Sequence, residues 1–254
     1  FSESGAFPDS SKPSDKVITI GAVYARFGDP TPFAQSVHVL GTANPIDGVD
    51  VYTYEREEDL ITGFMMETVR RRTDLLLAWN SYGFDHSYLD GRAVTLIDDQ
   101  TGKSLLDMTV WSKTMDPEAG KLLEKQLASS AYGDNTYRYH NTPGIVSVDA
   151  LQIFRKETKH DSYTLDNIAK HYLDISKIDL KPWEMFAKYR ESDPTGRTEI
   201  AEYCVRDCLL PIQLVHKMNM LNGLIEFSKV THVPIDWLLL RGQQIRVYSL
   251  ICKA

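Results

Sequence analysis

In TDLLLAWNSYGFDHSYLDGRAV, residues 73–94, the chain passes from a continuous apolar run to a helical pattern. TDLLLAWN (73–80) is a short continuous apolar run, the pattern of a parallel strand buried on both faces. FDHSYLDGRAV (84–94) begins a helix, so one acid, Asp85, stands directly after Phe84 where a strand hands over to a helix.

Upstream lie three strand-like runs, KVITIGAVYARF (16–27), FAQSVHVL (33–40) and VDVYTYE (49–55), separated by Gly, Pro, Asn and Asp clusters. They read as an antiparallel meander. From Glu55 to Thr73 the pattern turns helical, with Leu60, Phe64, Met65 and Val69 on one face. Glu57, Glu58 and Asp59 fill its first turn and Arg70, Arg71 and Arg72 its last, as a helix dipole prefers.

Downstream, residues 97–144 are the least regular part, an elaborated loop region with short helices expected around 116–128. VSVDALQIFRKE (146–157) resumes a regular element, and SYTLDNIAKHYL (162–173) reads as a helix capped by Ser162 or Thr164. A long amphipathic stretch, roughly 197–230, contains EYCVRDCLLP, and Pro211 should kink or divide it. The tail VPIDWLLLRGQQIRVYSLICKA (233–254) is apolar for an end, as in a chain that continues. Strands, helix, strand, helix and a late helix bearing an acid make an α/β layered domain.

With 254 residues, 43% of them apolar, the chain can bury one substantial core or two modest ones. No apolar run approaches the roughly 18 to 20 residues of a membrane helix, and the start lacks a signal-peptide pattern, so a soluble intracellular protein is expected. Three cysteines without a CxxC spacing indicate neither a disulfide framework nor a zinc site. Cys204 and Cys208, one helical turn apart, read as packing. The net charge of −7 argues against a bulk cationic grip on nucleic acid. It is compatible with a site that holds divalent cations through carboxylates.

Two short echoes carry little. GKS (102–104) lacks the first glycine of a phosphate-binding loop, since residue 97 is Ile. YGDNT (132–136) has Thr136 where a polymerase palm motif needs a second aspartate, and reads as a Gly-Asp-Asn turn. Tyr203 and Asp207, spaced i, i+4, are more informative because phenol and carboxylate then share a helix face. With Asp85 they form part of the set that a two-metal phosphodiester hydrolase requires. On spacing alone the bland alternatives stand: a chance pair, and an Asp85 that merely caps its helix.

WNSYGFDHSYLDGRA (79–93) resembles the second exonuclease motif of family B DNA polymerases, (Y/W)-N-x-x-x-F-D-x-x-Y-(L/I) followed by an arginine. EYCVRDCLLP resembles the third, Y-x-x-x-D followed by Leu-Pro. VSVDALQIFRKETKHDSYTLDNIAKHYL, KIDLKPWEMF and VPIDWLLLRGQQIRVYS look like the delta-type branch, while SSAYGDNTYRY and KIDL lean toward large double-stranded DNA viruses, the algal-virus group in particular. The resemblance implies a ribonuclease H-like exonuclease fold, a mixed sheet of strand order 3-2-1-4-5 flanked by helices. It implies removal of mismatched 3′ nucleotides with two Mg2+ ions, for which Mn2+ could substitute. Asp85 and Asp207 would be metal-binding catalytic acids and Tyr203 the catalytic residue that orients water. Asn80 and Phe84 would be DNA-binding, beside the single-stranded 3′ end; a base can stack on Phe84, which otherwise reads as junction core.

The family's first motif, D-I-E, would fall just before Phe1, so the chain is expected to be an internal fragment lacking the first, central strand. Such a fragment should be inactive alone, and poorly soluble or molten. Glu3, Asp9 and Asp15 read as solvated loop charges. Residues 1–232 would be the exonuclease domain and 233–254 the start of the connection to the polymerase palm. Implied partners are DNA, the parent's remaining polymerase domains and, as a further candidate, a sliding clamp, in the nucleus or at a viral replication site. The alternatives are an exonuclease-like domain that only binds single strands or partner proteins, and a free-standing exonuclease.

Overall fold

A computed structural model describes residues 1–3, 5–129, 133–175, 180–191 and 193–253, with the side chains of 128, 129 and 133 left aside. Most of the KIDL segment (177–180) lies outside the described residues. The chain folds as α/β, with three small sheets and flanking helices.

Strands β1 (Thr19–Arg26) and β2 (Asp29–Leu40) pair antiparallel around a tight turn at Phe27–Gly28. The meander expected next does not form, because β3 (Asp50–Tyr54) pairs parallel to β2, from Ser36↔Asp50 to Leu40↔Tyr54. The chain bends at Gly41 (φ 95°) and doubles back through residues 42–49, so β3 re-enters in the direction of β2. Helix α1 (Glu57–Arg70) follows, with Leu60, Phe64 and Met65 buried against the sheet. Polar contacts fix it there. Glu67 is buried on α1 and accepts from Ser36 Oγ (2.7 Å) and Arg71 Nε (2.7 Å), with His38 Nε2 at 2.9 Å.

Strand β4 (Leu75–Ala78) leads into α2 (Asp85–Thr95), as the opening stretch indicates. Arg92 on α2 is fully buried and forks onto both oxygens of Glu57, each at 2.7 Å. Its remaining nitrogen donates to the carbonyls of Ser10 (3.1 Å) and Lys12 (2.7 Å), clasping the N-terminal loop onto both helices. Asp15 in that loop is buried, not solvated, because the amide of Asp9 (2.9 Å) and the hydroxyl of Ser14 (3.0 Å) donate to it.

The region 97–144 is not a set of short helices. After a single 3-10 turn (Met108–Val110) it forms a hairpin of β5 (Leu122–Ser129) and β6 (Gly133–His140). Gly133, Asp134 and Asn135 are therefore strand residues and not a turn; Tyr132 lies outside the described residues. GKS is a surface turn closed by Asp98, consistent with the missing first glycine.

Strand β7 (Val146–Asp149) pairs parallel with β4, from Leu75↔Val146 to Ala78↔Asp149, and runs straight into α3 (Ala150–Glu157). Helix α4 (Leu165–Leu173) is capped by Thr164. After α5 (Pro182–Arg190), α6 (Pro194–Lys217) passes through Pro211 without a break. The division falls instead at Asn219, whose left-handed backbone (φ 54°) starts α7 (Met220–Thr231). Helices α8 (Ile235–Leu240) and α9 (Gln244–Lys253) follow. Leu239 and Leu240 of α8 join one core with Val148, Ile153, Phe154, Ile168 and Leu214.

Two edges of this arrangement position the site. β1 and β4 belong to separate sheets, and between them opens an apolar cavity of about 930 Å3. Ile20 to Arg26 form one wall, Leu75 to Ala78 the other, and α6 residues including Asp207 and Cys208 complete the lining.

Candidate functional site

The junction after β4 is built from turn chemistry. Asn80 adopts the left-handed region (φ 64°), which asparagine tolerates better than most residues. Its carbonyl accepts from the amides of Gly83 and Phe84, both at 3.1 Å. A Cβ on Gly83 would sit 2.5 Å from Asn80 Oδ1, so a larger residue there would push the Asn80 side chain aside. The turn thus presents Asn80 to solvent, Phe84 half-buried, and Asp85 as the first residue of α2.

Phe84 sits in an aromatic row. Phe7 meets its ring edge-on at 5.3 Å and Tyr88 lies 5.3 Å away on the other side. Phe7 is 77% exposed, and nothing in its loop sequence marks it as a neighbour of the site.

Asp207 approaches from α6. Cys208 beside it donates from Sγ to the carbonyl of Gly21 on β1 at 3.3 Å, which docks the helix on that strand. The Cys204 and Cys208 pair is packing, as its spacing indicates, since a Cβ on Gly21 would come within 3.0 Å and 3.2 Å of the two sulfurs. Asp85 and Asp207 line the same cavity. The thiol of Cys208 is pushed well above its ordinary pKa, by its Cys204 hydrogen bond and burial first, and then by the negative charges of Asp207 and Asp85. Tyr203 lies one turn before Asp207, half-buried, and is not among the residues that line the cavity.

Asp85 is reached by solvent through the cavity although protein crowds its carboxylate. Burial raises its pKa to about 6, its own backbone amide pulls it down, and the charge of Asp149 adds to the rise. A cation placed between Asp85 and Asp207 would reverse that shift by favouring the charged form. Carboxylate oxygens lining one solvent-reached cavity suit a hard divalent cation, so the pair fits the group in kind. In number the pair is incomplete: among the described residues no group of three or more His, Cys, Asp or Glu side chains is placed to hold a metal.

Asp149 is the site neighbour that spacing arguments miss. Fully buried at the end of β7, it accepts the amides of Asn80 (2.8 Å), Tyr82 (3.2 Å) and Leu151 (3.0 Å). The only sequence signal is an acid closing an apolar run before a helix, VSVDAL, which reads as an ordinary cap.

Residues 1–168 match the family described as DNA polymerase family B, exonuclease domain. Over its whole length the chain is 31% identical to a DNA polymerase of Paramecium bursaria Chlorella virus NY2A, of which it covers 28%. Over 98% of its length it is 32% identical to the DNA polymerase delta catalytic subunit of Bos taurus, covering 22% of that protein. The subunit of the same name from Candida albicans is 29% identical over 96% of the chain, again with 22% covered. The chain therefore spans about a quarter of the length of these relatives. No helix among the described residues is long and apolar enough to cross a membrane.

Proposed function

The chain belongs to the exonuclease domain family of the family B DNA polymerases, and from that premise we propose that it is the proofreading 3′-5′ exonuclease domain of a replicative DNA polymerase. The observation that carries this reading is that Asp85 and Asp207 line the same cavity, one from a strand-to-helix turn and the other from a late helix. The cavity itself supports a ribonuclease H-like sheet in which a further, central strand lies between β1 and β4. β1 and β4 each stand at the edge of a sheet and both line the cavity, and buried edges require partners. That strand would carry the remaining acids of the site.

Asp85 and Asp207 would hold two Mg2+ ions with those acids, and the ions would supply the Lewis acidity and charge neutralisation that phosphodiester hydrolysis needs. Tyr203 would orient the attacking water from the face that Asp207 shares. Asn80 and the Phe84 ring would grip the single-stranded 3′ end, the ring by stacking under a base. Segment 233–254 would lead toward the polymerase domains of the parent, acting in the nucleus or at a viral replication site.

The test is Mg2+-dependent release of mononucleotides from the 3′ end of single-stranded DNA by the parent polymerase. Asp207→Ala should abolish release and leave primer extension in place. Equal release by the parent and Asp207→Ala would overturn the assignment. Retained DNA binding with no release by either would favour a domain that only binds.

A further inference from the structure

We propose that Asp149 is a positioning residue for this site, holding the turn that presents Asn80, Phe84 and Asp85; the inference rests on the exonuclease reading above. Asp149 closes β7 opposite Ala78, the last residue of β4, in parallel register. The two strand ends therefore lie side by side where the chain of β4 turns into α2. From there the carboxylate accepts the Leu151 amide at the start of its own helix, at 3.0 Å. A helix cap needs no more than that bond.

The other two bonds have a different destination. The amides of Asn80 and Tyr82 lie 69 and 67 residues away in sequence, on the neighbouring strand's turn, and both donate to Asp149, at 2.8 Å and 3.2 Å. The turn needs an outside anchor because Asn80 is left-handed (φ 64°) and its carbonyl is engaged by Gly83 and Phe84. Amides inside such a junction must find an acceptor, and a carboxylate makes hydrogen bonds roughly twice as strong as a neutral one does. Asp149 has no exposure to solvent, so it touches neither DNA nor a cavity ion. Its action on the site passes through the backbone of residues 80–82, and from there to Asp85. A carboxylate that must meet a partner on another helix tolerates little displacement, since about 1 Å of misplacement can cost on the order of 100-fold in rate.

The experiment compares Asp149→Asn, Asp149→Ser, Ile153→Val and Asp207→Ala in the parent polymerase. Asn and Ser both cap helices well, so each keeps the Leu151 bond. In Asn the one oxygen can keep the Leu151 and Asn80 amides, which share Oδ1, while its amide group meets the Tyr82 amide and cannot accept from it; Ser is too short to span to the turn and loses both turn bonds. Ile153→Val, in the same helix and 1% exposed, is the control for general loosening of α3. The expected result is a fall in exonuclease kcat of about 100-fold for Asp149→Ser and a smaller fall for Asp149→Asn, which loses only the Tyr82 bond, with KM for single-stranded DNA within roughly threefold and primer extension unchanged for both. A fall no larger than that of Ile153→Val would overturn the proposal. So would parallel loss of exonuclease and primer extension in both Asp149 variants, which would make the residue structural only. If Asp207→Ala keeps full exonuclease activity, the functional reading fails first; if Asp207→Ala is inactive and the Asp149 variants match the control, only the positioning role fails.

Discussion

Arg92→Met should unfold the N-terminal clasp. The guanidinium and the Glu57 carboxylate are 0% and 3% exposed, so neither charge has water to fall back on. Met fills a similar volume and removes four donated bonds: two to Glu57 at 2.7 Å, and those to the Ser10 and Lys12 carbonyls at 3.1 Å and 2.7 Å. Glu57 would keep only the Val17 amide, at 2.8 Å. Breaking one half of a buried pair costs about 3–5 kcal/mol. For a domain of this size each kcal/mol shifts Tm by about 2–4 °C, so the melting midpoint should fall by about 6–20 °C. Adding Glu57→Met should recover most of that loss, because an apolar pair of similar volume often replaces a buried ion pair at little cost. Recovery should stop short of complete by about 1–3 kcal/mol, since the Val17 amide would then be buried without an acceptor. Thermal melts by circular dichroism of the wild type, both single variants and the double variant close the cycle. Additive losses, with the double variant less stable than either single one, would refute a coupled pair.

Two further outcomes follow from the same structure. Burial alone would raise the pKa of Glu67, but hydrogen bonds from His38, Ser36 and Arg71 outweigh it and hold the group at about 2. A carboxylate held below its ordinary value of 4.5 adds stability that is fully present above pH 4.5 and disappears as pH falls toward 2, about 3 kcal/mol in all. Glu67→Gln should flatten acid unfolding in that window and leave its slope above pH 5 unchanged; an unaltered acid limb would contradict the network. Phe84→Ala should weaken binding of single-stranded DNA by about 1–3 kcal/mol, the worth of one stacked base, in a fluorescence anisotropy titration. Unchanged affinity would return the ring to plain junction packing.

The junction at residues 73–94 was legible because both of its halves are local. An apolar run long enough for one strand, then Asn and Gly, then a helix need no distant partner to be recognised. Tyr203 and Asp207 were legible for the same reason, as a spacing within one helix. Pairing was not. Alternation identifies a strand but not the direction of its neighbour, so β3 reads equally well as parallel or antiparallel. LLEKQLA, within β5, is composed largely of good helix formers, and only its partner across the hairpin makes it a strand. There Glu124 faces Arg138 with 2.9 Å between charged groups. Asp15 looks like a surface charge until the N-terminal loop folds over α2. Asp149 looks like a cap because the amides that it accepts from Asn80 and Tyr82 come from another strand's turn, far away in sequence.

The helix that carries Asp207 is also a strut across the cavity between β1 and β4. Cys208 pins it to β1, its Ala201 and Val205 pack with Val37 and Val39 of β2, and its Leu214 and Val215 pack with Val148 of β7. One rod therefore ties together two sheets that, among the described residues, share no strand pairing. A change at either end of that rod should be felt at the other, and the position of Asp207 along it is set by both.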